Sequence, residues 1–338
     1  MPKGVFERKV VLTGGSTLIV SLPKEWCKQV GVSAGDRLAM IVQPDYSLRL
    51  MPKKEEREVY EISMKVSRDV KPKVVVREFI ARYLIGYDVI RVEFGEGTYE
   101  HRVAIKKALT TKLIGVEIIE EDAKSMVVQC LAKPSELSVK DATRRMTRIT
   151  SSMVNDVVGC ISNPKEYVLK EVIEREDTVD KFYLFIVRQL KSAALGLYLP
   201  SEIGLKDLRE ALGYRIISKS VERIADHAKR VAIVIPQLKI CDRICNHLEE
   251  LGRKSSEIFD SACDALFRLD KDKAHAIVEE VESIHHYEEK IISKLLKTGF
   301  EPTQVLVIST ILESLKRVAD YSSDIAEITI NLAAESTA

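Results

Sequence analysis

The sequence predicts a multidomain protein in three zones: a small β-rich unit, a small α/β module, and a long all-α region of two three-helix bundles. Three observations carry this. Strand and turn signals in the first 52 residues give the order ββαββ. Strand and helix patterns then alternate to about Lys133. Beyond that point apolar residues recur every three and four positions, and an internal repeat divides the six helices into three plus three.

In the first zone Val10, Val11 and Leu12 form a β-rich run broken by Thr13-Gly14-Gly15-Ser16. Leu18 to Leu22 reads as a second strand ended by Pro23. Pro23 also opens a short helix, Lys24 to Val30, where its missing N–H costs nothing. Gly31 closes that helix, and Ser33-Ala34-Gly35-Asp36 turns the chain into a hairpin. Its strands, Leu38 to Val42 and Leu48 to Leu50, flank Pro44-Asp45-Tyr46-Ser47. Four short strands and one short helix cannot bury enough apolar surface alone, so a partner chain is expected.

Gly15, Ile19, Leu22-Pro23-Lys24, Gly31-Val32 and Gly35-Asp36 give this zone, residues 1–52, a resemblance to the AbrB-like swapped-hairpin domains. The resemblance implies two chains interleaved in one barrel-like dimer, and DNA binding. The expected DNA-binding residues are Arg8, Lys9 and Lys24. The zone carries seven basic and four acidic side chains, a modest local excess suited to phosphate contacts. The alternative is a domain used only for dimerisation.

The second zone, residues 53–133, opens with a charged linker, Lys53 to Glu58. Strands are expected at Val59 to Val66, Val89 to Phe94, Val116 to Glu120 and Met126 to Leu131. Helices are expected at Val74 to Ile85 and His101 to Leu113. No Walker lysine follows Gly14-Gly15 or Gly95-Glu96-Gly97, so no phosphate loop is read. The module's role is left unassigned.

The third zone, residues 134–338, is cut by Ser162-Asn163-Pro164, Leu199-Pro200-Ser201, Pro236, Leu269-Asp270, and Gly299 with Pro302. The bundles fall at about 134–236 and 240–334. Arg223-Ile-Ala-Asp226-His227-Ala recurs as Arg317-Val-Ala-Asp320-Tyr321-Ser, an offset of 94 residues. Upstream, the stretch from Val172 to Phe182 lines up with that from Ile277 to Tyr287. Matches in two helices, in the same order, exceed what amphipathic helices share by chance.

These phrases, and Glu222-Arg-Ile-Ala-Asp226-His227 above all, give the zone a resemblance to PhoU domains. With the swapped-hairpin zone in front, the arrangement resembles archaeal PhoU-like regulators. The resemblance implies a regulator of phosphate uptake that meets the phosphate transporter ATPase or a phosphate-signalling protein. It also implies acidic Glu/Asp-xxx-Asp motifs able to hold a metal.

Glu176 and Asp180 are four apart, as are Glu222 and Asp226, so each pair shares a helix face. Like charges at that spacing repel weakly, and a divalent metal with oxygen ligands (Mg, Mn, Fe or Zn) would remove the cost. The alternative is salt-bridging, Lys219 with Glu222 and Arg230 with Asp226. In the second bundle Val281, His285 and Lys316 replace Glu176, Asp180 and Glu222, and only Asp320 is kept. Lys316 is expected to repel a cation and to pair with Asp320. A weaker second site is left open for Glu279, Glu282, His285, Asp320 and Asp324. Cys241, Cys245 and His247 sit near one another without a second ligand cluster, and buried small hydrophobes are the expectation for such cysteines.

Net charge is only +1, from 52 basic and 51 acidic residues, so no global charge argues for nucleic acid or membrane. No run of about 18 apolar residues is present and Met1 to Val10 lacks an apolar stretch, so membrane insertion and a secretory leader are not expected. The expectation is a reduced, cytoplasmic homodimer that is not an enzyme. No Ser/His/Asp or Cys/His order stands out, and His285-His286 lie on a charged helix. The rival reading is an interaction protein that docks on a phosphate transporter and uses its first zone only to dimerise.

Overall fold

The structure, a computed structural model, describes residues 5–42, 46–52, 59–132, 136–239, 242–295, 297 and 300–336. Pro44, Asp45, the Lys53 to Glu58 linker, Pro134, Cys241 and Gly299 lie outside the described residues. The chain divides into two compact units, Met1–Val59 and Tyr60–Ala338.

The first unit has β1 (Val11–Thr13), β2 (Thr17–Ile19), α1 (Lys24–Val30), β3 (Leu38–Val42) and β4 (Leu48–Pro52), in the expected order. Its strands form two separate antiparallel pairs, β1 with β2 and β3 with β4. Strand β2 stops at Ile19 instead of reaching Leu22, because its last partner is Val11, where β1 begins. Gly14 and Gly15 both take positive φ in the turn between them, the conformation glycine adopts at no steric cost. No described residue of this unit is buried. Val11, Leu12, Leu18, Met40, Val42 and Leu48 are each more than half exposed.

In the second unit β5 (Glu61–Val66), α2 (Pro72–Ile85), β6 (Val89–Phe94), α3 (Tyr99–Lys112), β7 (Val116–Glu121) and β8 (Ser125–Cys130) form the α/β module. The sheet order is β5-β6-β8-β7, with β5 and β6 parallel and the other pairs antiparallel. Phe79 and Tyr83 of α2, Ile105 of α3, and Val92 and Met126 of the sheet form its core.

Six long helices follow: α4 (Val139–Val158), α5 (Glu166–Ala194), α6 (Leu208–Val234), α7 (Asp242–Arg268), α8 (Lys271–Leu295) and α9 (Pro302–Ser336). Side-chain caps start two of them. Ser138 accepts from the Asp141 N–H, and Asp207 from those of Arg209 and Glu210. Helices α4 to α6 form one bundle and α7 to α9 the other, joined where α4 packs on α7 and α6 on α9. One apolar core runs through both bundles.

The repeat is visible in the packing. Ser151 donates to Asp260 at 2.6 Å, and Ser256 to Asn155 at 2.9 Å. An offset of about 105 residues between α4 and α7 exchanges the two bonds. His227 and Tyr321, equivalent across the 94-residue offset, meet ring to ring at 5.9 Å where α6 meets α9. The two halves are thus related by an internal two-fold axis.

The α/β module is packed onto the first bundle, and the two make one unit where the sequence suggested separate domains. Arg188 of α5 is buried and donates to the carbonyls of Tyr83 and Gly86, the latter at 3.3 Å, so it caps the C-terminus of α2. Its guanidinium also lies over the Tyr83 ring at 4.9 Å. Gly86 has φ 107, and a Cβ there would meet Ser192 Oγ of α5 at 2.7 Å. Two constraints, backbone conformation and close approach, therefore select glycine at this position.

Arg188→Met removes the cap and leaves both carbonyls buried without that donor. Bonds from a charged donor contribute roughly 1.5–3 kcal/mol each. The expected result is faster amide hydrogen exchange across α2, with α7 to α9 unchanged. Equal protection of α2 in variant and parent would show that Arg188 does not hold the module in place.

Candidate functional site

The seam between α5 and α6 gathers the four carboxylates singled out in the sequence. Glu176 and Glu222 are buried, Asp180 is half-buried and Asp226 lies at the open edge. The carboxyl groups of Glu176 and Asp226, from different helices, are close enough to influence each other. Four negative groups on two adjoining helices repel unless counter-charges enter, and three lysines do. Lys229 of α6 reaches Glu176 at 2.5 Å, and Lys219 reaches Glu222 at 2.5 Å. The third, Lys112, comes from the α/β module and meets Asp180 at 3.2 Å.

The Lys219–Glu222 pair is the one the sequence suggested. Arg230 instead faces Glu313 of α9 at 4.0 Å, because the outward side of α6 near residue 230 meets the second bundle, away from Asp226. Lys229 and Lys112 were not singled out by sequence reasoning. Lys229 was within reach of it, since it follows Asp226 by three positions on the same helix. Lys112 stands on another module and had no signal of its own.

The lysines do not remove the crowding. Although Asp226 sits at the exposed edge, partial desolvation by the seam, then the Glu222 charge and the Asp180 charge, push its carboxyl above its ordinary range against the opposing effects of Glu176 and Lys219. Burial first, then the Glu176 charge, raise Asp180 against the opposing effect of Lys112. Among the described residues no three His, Cys, Asp or Glu side chains are placed to hold a metal ion together. As arranged, with Glu176, Asp180 and Glu222 each paired with an ammonium, the seam does not fit a metal.

The second bundle has resolved the same positions differently. Val281 is buried in the core. His285 Nε2 lies 2.7 Å from Asp320, and Arg317 donates to Asp320 at 3.3 Å. Lys316 pairs with Glu288 at 2.9 Å and not with Asp320, because its side chain reaches across to α8. Asp324 is hydrogen-bonded to Ser220 of α6, while Glu279 and Glu282 are exposed on α8. Cys245 is buried, and His247 is engaged by Tyr287 at 3.1 Å and Lys294 at 3.0 Å.

In the first unit Arg8, Lys9 and Lys24 are exposed. Arg8 lies over the Phe6 ring at 5.8 Å and donates to the Glu7 carbonyl at 3.0 Å. Neither Lys9 nor Lys24 forms an ion pair among the described residues.

A tandem of three-helix bundles with paired carboxylates on one seam, preceded by a hairpin unit, defines the class of protein. The model described as "PhoU domain" matches residues 143–235 and 248–329, one copy per bundle and just over half of the chain. The chain belongs to the PhoU domain family. Residues 11–58 match the model described as "Antidote-toxin recognition MazE, bacterial antitoxin", of the MazE/AbrB-like type.

Two relatives bear the name "phosphate-specific transport system accessory protein PhoU homolog". That of Pseudomonas aeruginosa is 26% identical over 199 residues, 55% of this chain and 78% of its own. That of Borreliella burgdorferi is 23% identical over 214 residues, 60% of this chain and 94% of its own. The crystal structure of PhoU from Pseudomonas aeruginosa superposes with a TM-score of 0.53 at 22% identity, covering 58% of this chain and 96% of that one. PhoU from Streptococcus pneumoniae gives 0.50 at 19%, covering 57% and 92%. These likenesses show the fold. Among the described residues no helix is long and apolar enough to cross a membrane.

The raised Asp226 carboxyl makes a signed prediction. A folded-state value above the unfolded one favours folding on the acid side, and that contribution is lost as pH rises through the folded value. Asp226→Asn removes the loss. The melting temperature should rise at neutral pH, and the gain should vanish below the ordinary carboxylate range. A variant less stable at neutral pH would show that the Asp226 charge is favourable where it stands.

Proposed function

We propose that this chain is a phosphate-responsive regulator of phosphate uptake, acting in the cytoplasm without catalysis. The family membership of the tandem bundles is the observation that supports it. The relatives' names tie them to phosphate-specific transport systems, so the bundles are assigned a transporter ATPase or a phosphate-signalling protein as partner. The N-terminal unit is assigned duplex DNA. Its exposed Arg8, Lys9 and Lys24 suit phosphate contacts, and its match to the antitoxin model is consistent with that use.

Dimerisation is part of the same reading. A unit in which no described residue is buried, and whose strands expose Val11, Leu12, Leu18 and Met40, needs a second copy to form a core. Light scattering of the full chain at micromolar concentration should give twice the chain mass. A folded monomer would overturn the assembly.

DNA binding is tested by fluorescence anisotropy with the chain's own promoter fragment. Affinity should fall with salt, and Arg8→Ala with Lys9→Ala should weaken binding to all sequences. The log-log salt slope should shrink by about one for each phosphate that loses its basic partner. No affinity at low salt would favour the other reading, a dimeric interaction protein that docks on the transporter alone.

A divalent cation at Glu176, Asp180, Glu222 and Asp226 belongs to this proposal only if the lysines give way, since Lys229 and Lys112 hold Glu176 and Asp180. Elemental analysis of protein purified without chelator, set beside Glu222→Gln and Lys316→Ala, tests it. Metal that is lost with Glu222→Gln supports these carboxylates as ligands. Content unaltered in that variant leaves them as a lysine-paired face.

A further inference from the structure

Above the carboxylate seam lies a cleft of about 450 Å³, walled on one side by α2 and α3 of the module and on the other by α5 and α6. Its volume falls within the roughly 300–1,000 Å³ of small-molecule sites. The cleft is built from three kinds of group. Val76 and Ile80 of α2 face it from the module, and from the bundle come Leu184 and the Tyr183 ring, over which Arg215 and Lys219 of α6 also lie at 5.3 and 5.2 Å. Lys73 and Arg77 stand on the same face of α2, exposed, and form no ion pair among the described residues. Asp180 and Glu222 supply carboxylate acceptors on the bundle side, each already held by its own lysine.

The other charges of the lining balance one another: Lys112 faces Asp180, and Lys219 neutralises Glu222 from outside the cleft. Lys73 and Arg77 are left as the uncompensated pair, and they select an anion. The apolar walls ask for more than a bare anion. Inorganic phosphate would fill a small part of the volume and leave Val76, Ile80 and Leu184 against water. A fatty acid would offer no donors to the carboxylates. A sugar phosphate would bring donors and charge but no flat apolar body for Tyr183.

We propose that this cleft is an effector site for a nucleoside phosphate. The base lies between the α2 side chains and Tyr183, the phosphate meets Lys73 and Arg77, and ribose hydroxyls or an exocyclic amine donate towards Asp180 and Glu222. Because the cleft is shared by the module and the first bundle, a bound ligand bridges them. This gives the α/β module a role, and it stands apart from the regulator reading above, which does not require it.

The test is equilibrium dialysis of the full chain in phosphate-free buffer with adenosine, guanosine and uridine monophosphates, adenosine, and inorganic phosphate. At least one monophosphate should bind once per chain. Adenosine should bind at least tenfold more weakly than its monophosphate, and inorganic phosphate should not displace the nucleotide at equal concentration. Arg77→Ala combined with Lys73→Ala, on an exposed helix face, should weaken binding at least tenfold with the melting temperature kept. Ala104→Trp, on the cleft wall, should abolish it, whereas Arg8→Ala should leave it unchanged. The proposal fails if no monophosphate binds at millimolar concentration, if inorganic phosphate competes equally, or if the Lys73/Arg77 variant binds as the parent does.

Discussion

Four carboxylates on two neighbouring helices set the terms for the second unit of this chain. Glu176 and Glu222 are buried, and the low dielectric around them makes every uncompensated charge costly. Two of the compensating ammonium groups, Lys219 and Lys229, come from α6 itself. The third, Lys112, is delivered by a different module, so that module's placement and the electrostatics of the bundle are coupled. Arg188 works in the opposite direction, reaching from α5 to cap α2. Each element thus satisfies a polar group the other cannot satisfy alone. That reciprocity explains why an α/β module and a helical bundle that read as separate domains form one compact unit.

How much of this was legible follows from the range of each interaction. The six helices and their breaks were readable because helical periodicity is local. The repeat was readable because Arg223 to Ala228 and Arg317 to Ser322 keep their residue types, and the structure turns that likeness into geometry when His227 meets Tyr321. The gathering of Glu176, Asp180, Glu222 and Asp226 followed from spacing plus helix pairing. The partners did not follow. Lys112 lies 68 positions before Asp180, and no periodicity connects them. Arg230 and Lys316 were misassigned because helical spacing fixes which residues on one helix are neighbours, but not which neighbouring helix lies closer. The strand ends of the first unit were misjudged for a similar reason. Apolar runs continue past Ile19, whereas pairing stops where the partner strand does.

The first unit poses a different constraint. Its turns are well determined locally, with positive φ at Gly14, Gly15, Gly31 and Gly35. Its apolar side chains nevertheless remain exposed, so local geometry is complete before any core exists. In such a unit the secondary structure is specified by the chain and the stability by whatever covers it. In the function proposed above, assembly and DNA binding would therefore draw on different residues: the exposed strand faces for one, Arg8, Lys9 and Lys24 for the other.

The two bundles show how one repeat can divide its labour. At equivalent positions the second has replaced like charges by other pairs: His285 hydrogen-bonded with Asp320 and Lys316 ion-paired with Glu288, with Val281 returned to the core. These pairs are internally balanced, and the α/β module packs instead on α5, in the first bundle. The first bundle keeps its excess of carboxylates, and on that side stand Lys112, the cleft, and Lys73 and Arg77, which form no ion pair among the described residues. Of the two equivalent seams, the first retains paired carboxylates held by lysines, and the second carries mixed pairs and a buried Val281. The unresolved electrostatics of the α5–α6 seam is therefore the feature through which a bound ion, a bound anion or a displaced module would be felt by the rest of the unit.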